Sequence, residues 1–230
     1  KPVILHLFSG GEMVLNRKNE KFRGGSVGKI FILEGPECSG KSHLIGSLKN
    51  ELEDTDFFDE MAKNFSKKYP DLYEEKEKME IVYITHYIRT MERIARKIED
   101  KNIIMDRGWP SGPVFIKLRQ KYREEYDFPL DIFYRFEETM RRFFPRVFKN
   151  TVLVFMDLDI ETIKKRWKDE ESEHRPDSFD PEWIKKSKQC YRERMKEIEE
   201  MGGEVERIDA NRSKKEVRKQ FLEIYDRYSN

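Results

Sequence analysis

Eight residues in this chain have the types and the spacing to grip phosphate. The run Gly35-Pro36-Glu37-Cys38-Ser39-Gly40-Lys41-Ser42 reads G-x-x-x-x-G-K-S, preceded by the apolar stretch 30–34 and followed by a helical pattern with Leu44, Ile45, Leu48 and Leu52 on one face. In that strand–loop–helix setting, backbone N–H groups converge on phosphate oxygens and the helix adds the positive end of its dipole. Lys41 reaches the outer phosphates, and the Ser42 hydroxyl is a ligand for the magnesium that accompanies them. The competing explanation is a chance match on a glycine-containing turn, which the flanking strand and helix disfavour. The chain is therefore expected to bind a nucleoside triphosphate.

Transfer of a phosphoryl group needs little covalent help, but it needs positive charge, a metal and an acceptor held in line. Asp106 and Arg107 end the buried-strand pattern 102–105, where a carboxylate can hold magnesium or take the acceptor's proton and an arginine can grip the acceptor. A local ion pair is the alternative for such a couple. Asp157 and Asp159, at the end of another strand, are rivals for the metal; the arginine directly after Asp106 favours that carboxylate. Among the mixed charges of 164–175, Arg166 and Arg175 are the candidates to move onto the phosphates as a lid closes and excludes water. Trp109 is placed to stack on an acceptor base or to pack at the strand end. His6, His43, His86 and His174 lack metal-ligand spacing.

The elements that must position these residues alternate along the chain. Apolar runs at 30–34, 102–105 and 151–158 read as strands, with a last short strand at 205–208 and a weak one at 57–61. Helical patterns fall at 79–99, through 114–148 with breaks at Pro129 and Pro145, at 160–167, 182–201 and 214–228. Continuous apolar strands interleaved with helices predict an α/β fold: a central parallel sheet of about five strands covered on both faces. Ligands of such a sheet bind at the carboxyl ends of its strands, where the phosphate loop, Asp106-Arg107 and the segment after Asp209 come together. Residues 1–29 read as an N-terminal β hairpin plus a polar connector, 30–230 as the catalytic domain, and 164–181 as its helical lid.

Lys and Arg total 46 against 45 Asp and Glu, so no global field draws the chain to nucleic acid or membrane. No apolar run reaches a membrane span, and no signal-peptide core is present at the start. The first residue is Lys1, not Met, which is consistent with a start cleaved, trimmed or replaced. The two cysteines, Cys38 and Cys190, are too few for a disulfide framework, and a reduced thiol at Cys38 favours an intracellular, cytoplasmic setting.

Taken in order, these motifs resemble the thymidylate kinase and deoxynucleoside kinase group of P-loop kinases. The resemblance rests on Glu34-Gly35-Pro36-Glu37 into Gly40-Lys41-Ser42, Asp106-Arg107 with Ser111, Met156-Asp157-Leu158, Lys165-Arg166 with Arg175, Asp180 to Trp183 with Tyr191, and Ile208-Asp209-Ala210-Asn211 with Glu216-Val217. It implies a three-layer sandwich, with ATP and Mg2+ as cofactors and a nucleotide-type acceptor. It implies that Glu37 faces the acceptor sugar, Arg107 binds the acceptor's phosphate or 5′ oxygen, Arg166 and Arg175 are lid arginines, and Asn211 and Arg212 flank the adenine. Helix 79–99 resembles the one lining the acceptor pocket, with Arg89 or Arg93 pointing inward. Relatives in this group often form homodimers. Some thymidylate kinases have an arginine where Cys38 stands, which sends the search for catalytic charge to the lid. The group's Arg-x-Pro-Gly and Glu-Pro stretches after the second strand are missing, leaving Asp59 or Glu60 to replace its base.

Three functions follow. The first is transfer of the γ-phosphate of ATP to a nucleoside or deoxynucleoside monophosphate. The second is the same chemistry on a polynucleotide hydroxyl, at a 5′ end or on a hydroxymethylated base in DNA; the missing small-substrate motif, the basic N-terminal segment and Arg135, Arg141, Arg142 and Arg146 would suit it. The third is an ATP-binding switch, against which Asp106-Arg107 and the lid arginines argue.

Overall fold

The computed structural model describes residues 27–60, 76–122, 128–169 and 180–229. The anticipated hairpin at 2–15, the centre of the lid and Arg175 lie outside the described residues. Among the described residues five strands form one sheet: β1 (Ile30–Glu34), β2 (Thr55–Phe58), β3 (Asn102–Asp106), β4 (Thr151–Asp157) and β5 (Glu204–Asp209). Their order is β2-β3-β1-β4-β5 and every pairing is parallel. β1 is thus central, and the loop that follows it opens between its neighbours β3 and β4, at the carboxyl edge where such sheets bind ligands.

The helices are α1 (Lys41–Leu48), α2 (Lys76–Lys97), α3 (Ser111–Tyr122), α4 (Leu130–Phe143), α5 (Pro145–Lys149), α6 (Ile160–Asp169), α7 (Pro181–Glu200) and α8 (Lys214–Ser229). Pro145 occupies the first turn of α5, where its missing N–H costs nothing. Asp180 caps α7 by accepting from the N–H groups of Glu182 (3.0 Å) and Trp183 (3.1 Å).

Alternation along each strand divides the core in two. Ile30, Ile32, Ile103, Met105, Leu153 and Phe155 face a cluster with Met91, Ile94, Met140, Cys190 and Met195 from α2, α4 and α7. Phe31, Leu33, Ile104, Val152, Val154 and Met156 face Leu44, Ile45, Ile163, Phe221 and Ile224 from α1, α6 and α8. Strands buried on both faces read as unbroken apolar runs, which is why they were visible in the sequence. The two edge strands are the exceptions: β2, Thr-Asp-Phe-Phe, is partly buried and starts two residues before the predicted 57–61, and in β5 only Ile208 is buried. No helix among the described residues is long and apolar enough to cross a membrane.

Candidate active site

The loop from Gly35 to Gly40 turns tightly because glycine stands where other residues would clash or strain. Gly35 has φ +147°, and a Cβ there would lie 2.7 Å from the Met156 carbonyl of β4; Gly40 has φ +92° at the start of α1. Cys38 (φ +57°) and Arg107 (φ +62°) take the left-handed conformation without being glycine. Such backbone costs of order 1 kcal/mol per residue and collects at functional sites.

Lys41 is buried and folded back over its loop, its Nζ donating to Gly35 O (3.0 Å), Pro36 O (2.9 Å) and Ser39 Oγ (2.9 Å). Burial, and then the neighbouring Arg107, pull its pKa down to about 8. Ser42 Oγ donates to Asp106 Oδ2 at 2.9 Å, joining the two residues expected to serve the metal. A hydroxyl beside a carboxylate is an all-oxygen donor set that suits a hard cation, most of whose remaining ligands come from phosphate and water. Asp157 is drawn elsewhere, to Lys188 (3.2 Å) and Arg192 (2.7 Å) on α7.

Arg107 is the centre of a second, buried cluster. Its Nε lies 3.0 Å from Glu60 Oε1, and its Nη1 donates to Gly35 O (2.9 Å) and to Tyr191 Oη. The rings of Phe115 and Tyr191 flank the guanidinium at 5.3 and 5.7 Å. Glu34, fully buried at the end of β1, accepts from Gly108 N (2.8 Å) and Ser111 Oγ (2.6 Å). Burial pushes its carboxyl up to about 7, against the opposing pull of Arg107. Tyr87 of α2 donates to Gly108 O at 2.6 Å. Glu37 reaches the same region, where one buried carboxylate oxygen has no hydrogen bond among the described residues.

Arg166 lies over the phosphate loop, donating from Nη1 to Cys38 O (3.1 Å) and Ser39 O (3.4 Å) and from Nη2 to Ala210 O (2.7 Å). It thereby ties the loop to the turn after β5. In that turn Asn211 donates to Asp209 Oδ1 and accepts from Asp159 N, while Arg212 Nε donates to Asp209 Oδ2 at 2.9 Å.

Three of the anticipated acceptor residues take other positions. Trp109 is 5% exposed and packs on Phe148 with ring centroids 4.7 Å apart, inside the core. Arg89 and Arg93 are exposed on α2, and Arg93 lies over the Phe58 ring at 5.1 Å. Each stands two positions after an inward residue, Tyr87 or Met91, so about 200° of helix rotation turns it outward. Glu34, Tyr87 and Phe115 reach the cluster although none is among the expected site residues. Glu34 was visible as a carboxylate closing an apolar run, and Tyr87 as a member of the inward stripe.

A phosphate loop at the edge of a parallel sheet, a hydroxyl–carboxylate pair and a ring of cations together define a P-loop phosphotransferase. The family model for deoxynucleoside kinases matches residues 31–228, and the chain belongs to that family. It is an ATP-dependent phosphotransferase. The fold is similar to that of thymidylate kinase from Candida albicans (TM-score 0.64, 17% identity, 89% of this chain and 94% of that one). It is also similar to deoxyadenosine kinase from M. mycoides with bound dCTP (TM-score 0.58, 17% identity, 86% and 99%). A third likeness is to the YorR protein of Bacillus subtilis (TM-score 0.53, 20% identity, 86% and 95%). No curated protein sequence matches the chain significantly.

Proposed function

We propose that this kinase transfers the γ-phosphate of ATP to the hydroxyl of a free deoxynucleoside, with Glu60 as the general base. The observation that carries this reading is the Glu60–Arg107 pair at 3.0 Å, with the Glu60 side chain 19% exposed. A carboxylate held there suits a hydroxyl, whose proton it can take. The same carboxylate would repel the phosphate of a nucleoside monophosphate, the acceptor anticipated above.

In the reaction the acceptor oxygen attacks the γ-phosphorus in line. The new O–P bond forms as the bond to the β,γ-bridging oxygen breaks, the hydroxyl proton passes to Glu60, and ADP leaves. Lys41 exchanges its loop carbonyls for β- and γ-phosphate oxygens, which are stronger, charged acceptors. Arg107 steadies the acceptor oxygen, and Glu37 offers its unpaired oxygen to a sugar hydroxyl. Arg166 is stationed at the loop for the phosphates, and Asn211 and Arg212 stand beside it on the adenine side. Ser42 and Asp106 would hold Mg2+, which when bound neutralises charge on the phosphate oxygens.

The basic residues that suited a polynucleotide are already matched with carboxylates. Arg135 pairs with Asp131 (3.3 Å), Arg141 with Glu137 (2.8 Å), Arg142 with Glu138, and Arg146 with Glu99 (3.3 Å). That weakens the field these four arginines offer such a partner, and supports a small acceptor. The test is γ-labelled ATP offered to a panel of deoxynucleosides, their monophosphates, and DNA with free 5′ ends or hydroxymethylated bases. Label in nucleoside monophosphate products is expected; label confined to diphosphates or to DNA overturns the reading.

A further inference from the structure

The proposed reaction needs Arg107 in one orientation, and α7 supplies a group that sets it. Tyr191 Oη accepts from Arg107 Nη1 and lies 3.2 Å from Ser111 Oγ, which in turn donates to Glu34 Oε2 at 2.6 Å. A serine hydroxyl carries one proton, and when Glu34 is ionised its carboxylate receives it. The Tyr191 proton is therefore directed at Ser111, which leaves the tyrosine oxygen's lone pairs for the guanidinium. Glu34 and Tyr191 are fully buried and Ser111 is 4% exposed, so water does not compete for these bonds. The hydroxyl is not needed to seat the helix, because Ile184, Cys190, Met195 and Ile198 already bury its apolar side.

We propose that Tyr191 is a positioning residue for Arg107: its hydroxyl, oriented through Ser111 by Glu34, aims the guanidinium at the reacting oxygens. In that pose Nε faces the Glu60 carboxylate at 3.0 Å without a hydrogen bond to it, and Nη1 donates to Gly35 O and Tyr191 Oη. Nη2, which has no hydrogen bond among the described residues, is left for the substrate. This role rests on the reading of Arg107 and Glu60 as the acceptor end of the site.

The experiment is a double-mutant cycle on the full chain, with Tyr191→Phe, Arg107→Lys and the pair, read as kcat and KM on whichever acceptor takes label. Tyr191→Phe keeps the ring and is expected to lower kcat by about 10- to 100-fold with KM for ATP unchanged. In the Arg107→Lys background it is expected to cost nothing further, because the group it aims is gone. Ser111→Ala, which cuts the chain one link further back, is expected to give a smaller loss of the same kind, also absent in that background. Fully additive losses, an undiminished kcat in Tyr191→Phe, or a loss accounted for by a smaller folded fraction would each overturn the role. Label in an acceptor other than a nucleoside bears on the proposed function alone, since the cycle is measured on that acceptor all the same.

Discussion

Arg107 and Lys41 share a small buried volume, and their mutual repulsion shapes what each can do. Lys41 has a pKa drawn down to about 8 by burial and by Arg107, so its charge is lost as pH rises through that value in the nucleotide-free protein. Phosphate oxygens favour the charged form, so nucleotide binding above pH 8 must take up a proton. We expect KM for ATP to rise as pH passes through about 8; a KM flat to pH 10 contradicts the placement of Lys41 on the phosphates. Lys41→Ala is expected to lower kcat by about 10²–10³-fold, the scale for removing one preorganised charged donor. Asp106→Ala, which also strips Ser42 of its partner, is expected to abolish transfer with the protein still folded, as judged by circular dichroism. Near-normal turnover in Asp106→Ala would exclude it from the metal site.

At the scale of elements, α7 matters because it brings Tyr191 to the site and Arg194 to an ionic cluster beneath it. Arg194 is 1% exposed and pairs with Glu137 of α4 and, at 3.0 Å, with Glu197. Lys117 of α3 joins Glu197 at 2.6 Å, and Tyr134 of α4 donates to the same carboxylate at 3.1 Å. Arg194→Ala removes a buried cation but leaves Glu137 paired with Arg141 and Glu197 with Lys117, so it is expected to destabilise the fold by about 1–3 kcal/mol in denaturant unfolding. Arg194→Met combined with Glu137→Leu should recover most of that loss. If the single change costs under about 1 kcal/mol, the cluster is not holding α3, α4 and α7 together. These elements differ in how much the sequence disclosed. β1, β3 and β4 announced themselves because both faces are buried, and the glycine and lysine spacing of the phosphate loop places α1 directly. β2 is short and on an edge, so its ends were misjudged, and with them the standing of Glu60, two residues beyond it. The outward turn of Arg89 and Arg93 follows from the periodicity of α2, which places both two positions after an inward residue. The Glu34–Ser111–Tyr191 chain joins residues up to 157 positions apart, and no local pattern announces such a contact.

For the molecule as a whole, a carboxylate at the centre of the sheet links stability to pH. Glu34 titrates near 7 in the fold against an ordinary value of 4.5, because burial disfavours its charge more than Arg107 and Lys41 favour it. The folded state then binds a proton more tightly than the unfolded one. The stabilisation is complete below about 4.5 and is lost as pH rises through about 7. Unfolding measured across that window should show this decline in the native chain, and Glu34→Gln should remove it; an unchanged slope in Glu34→Gln assigns the decline to other groups. The proposed function turns on Glu60 serving a nucleoside hydroxyl. Its most direct test is kcat/KM for a deoxynucleoside and for its 5′-monophosphate, in the native chain and in Glu60→Gln. The account predicts that the native enzyme prefers the nucleoside and that Glu60→Gln lowers this activity by about 10²–10⁴-fold. A preference for the monophosphate, undiminished or raised in Glu60→Gln, would contradict it.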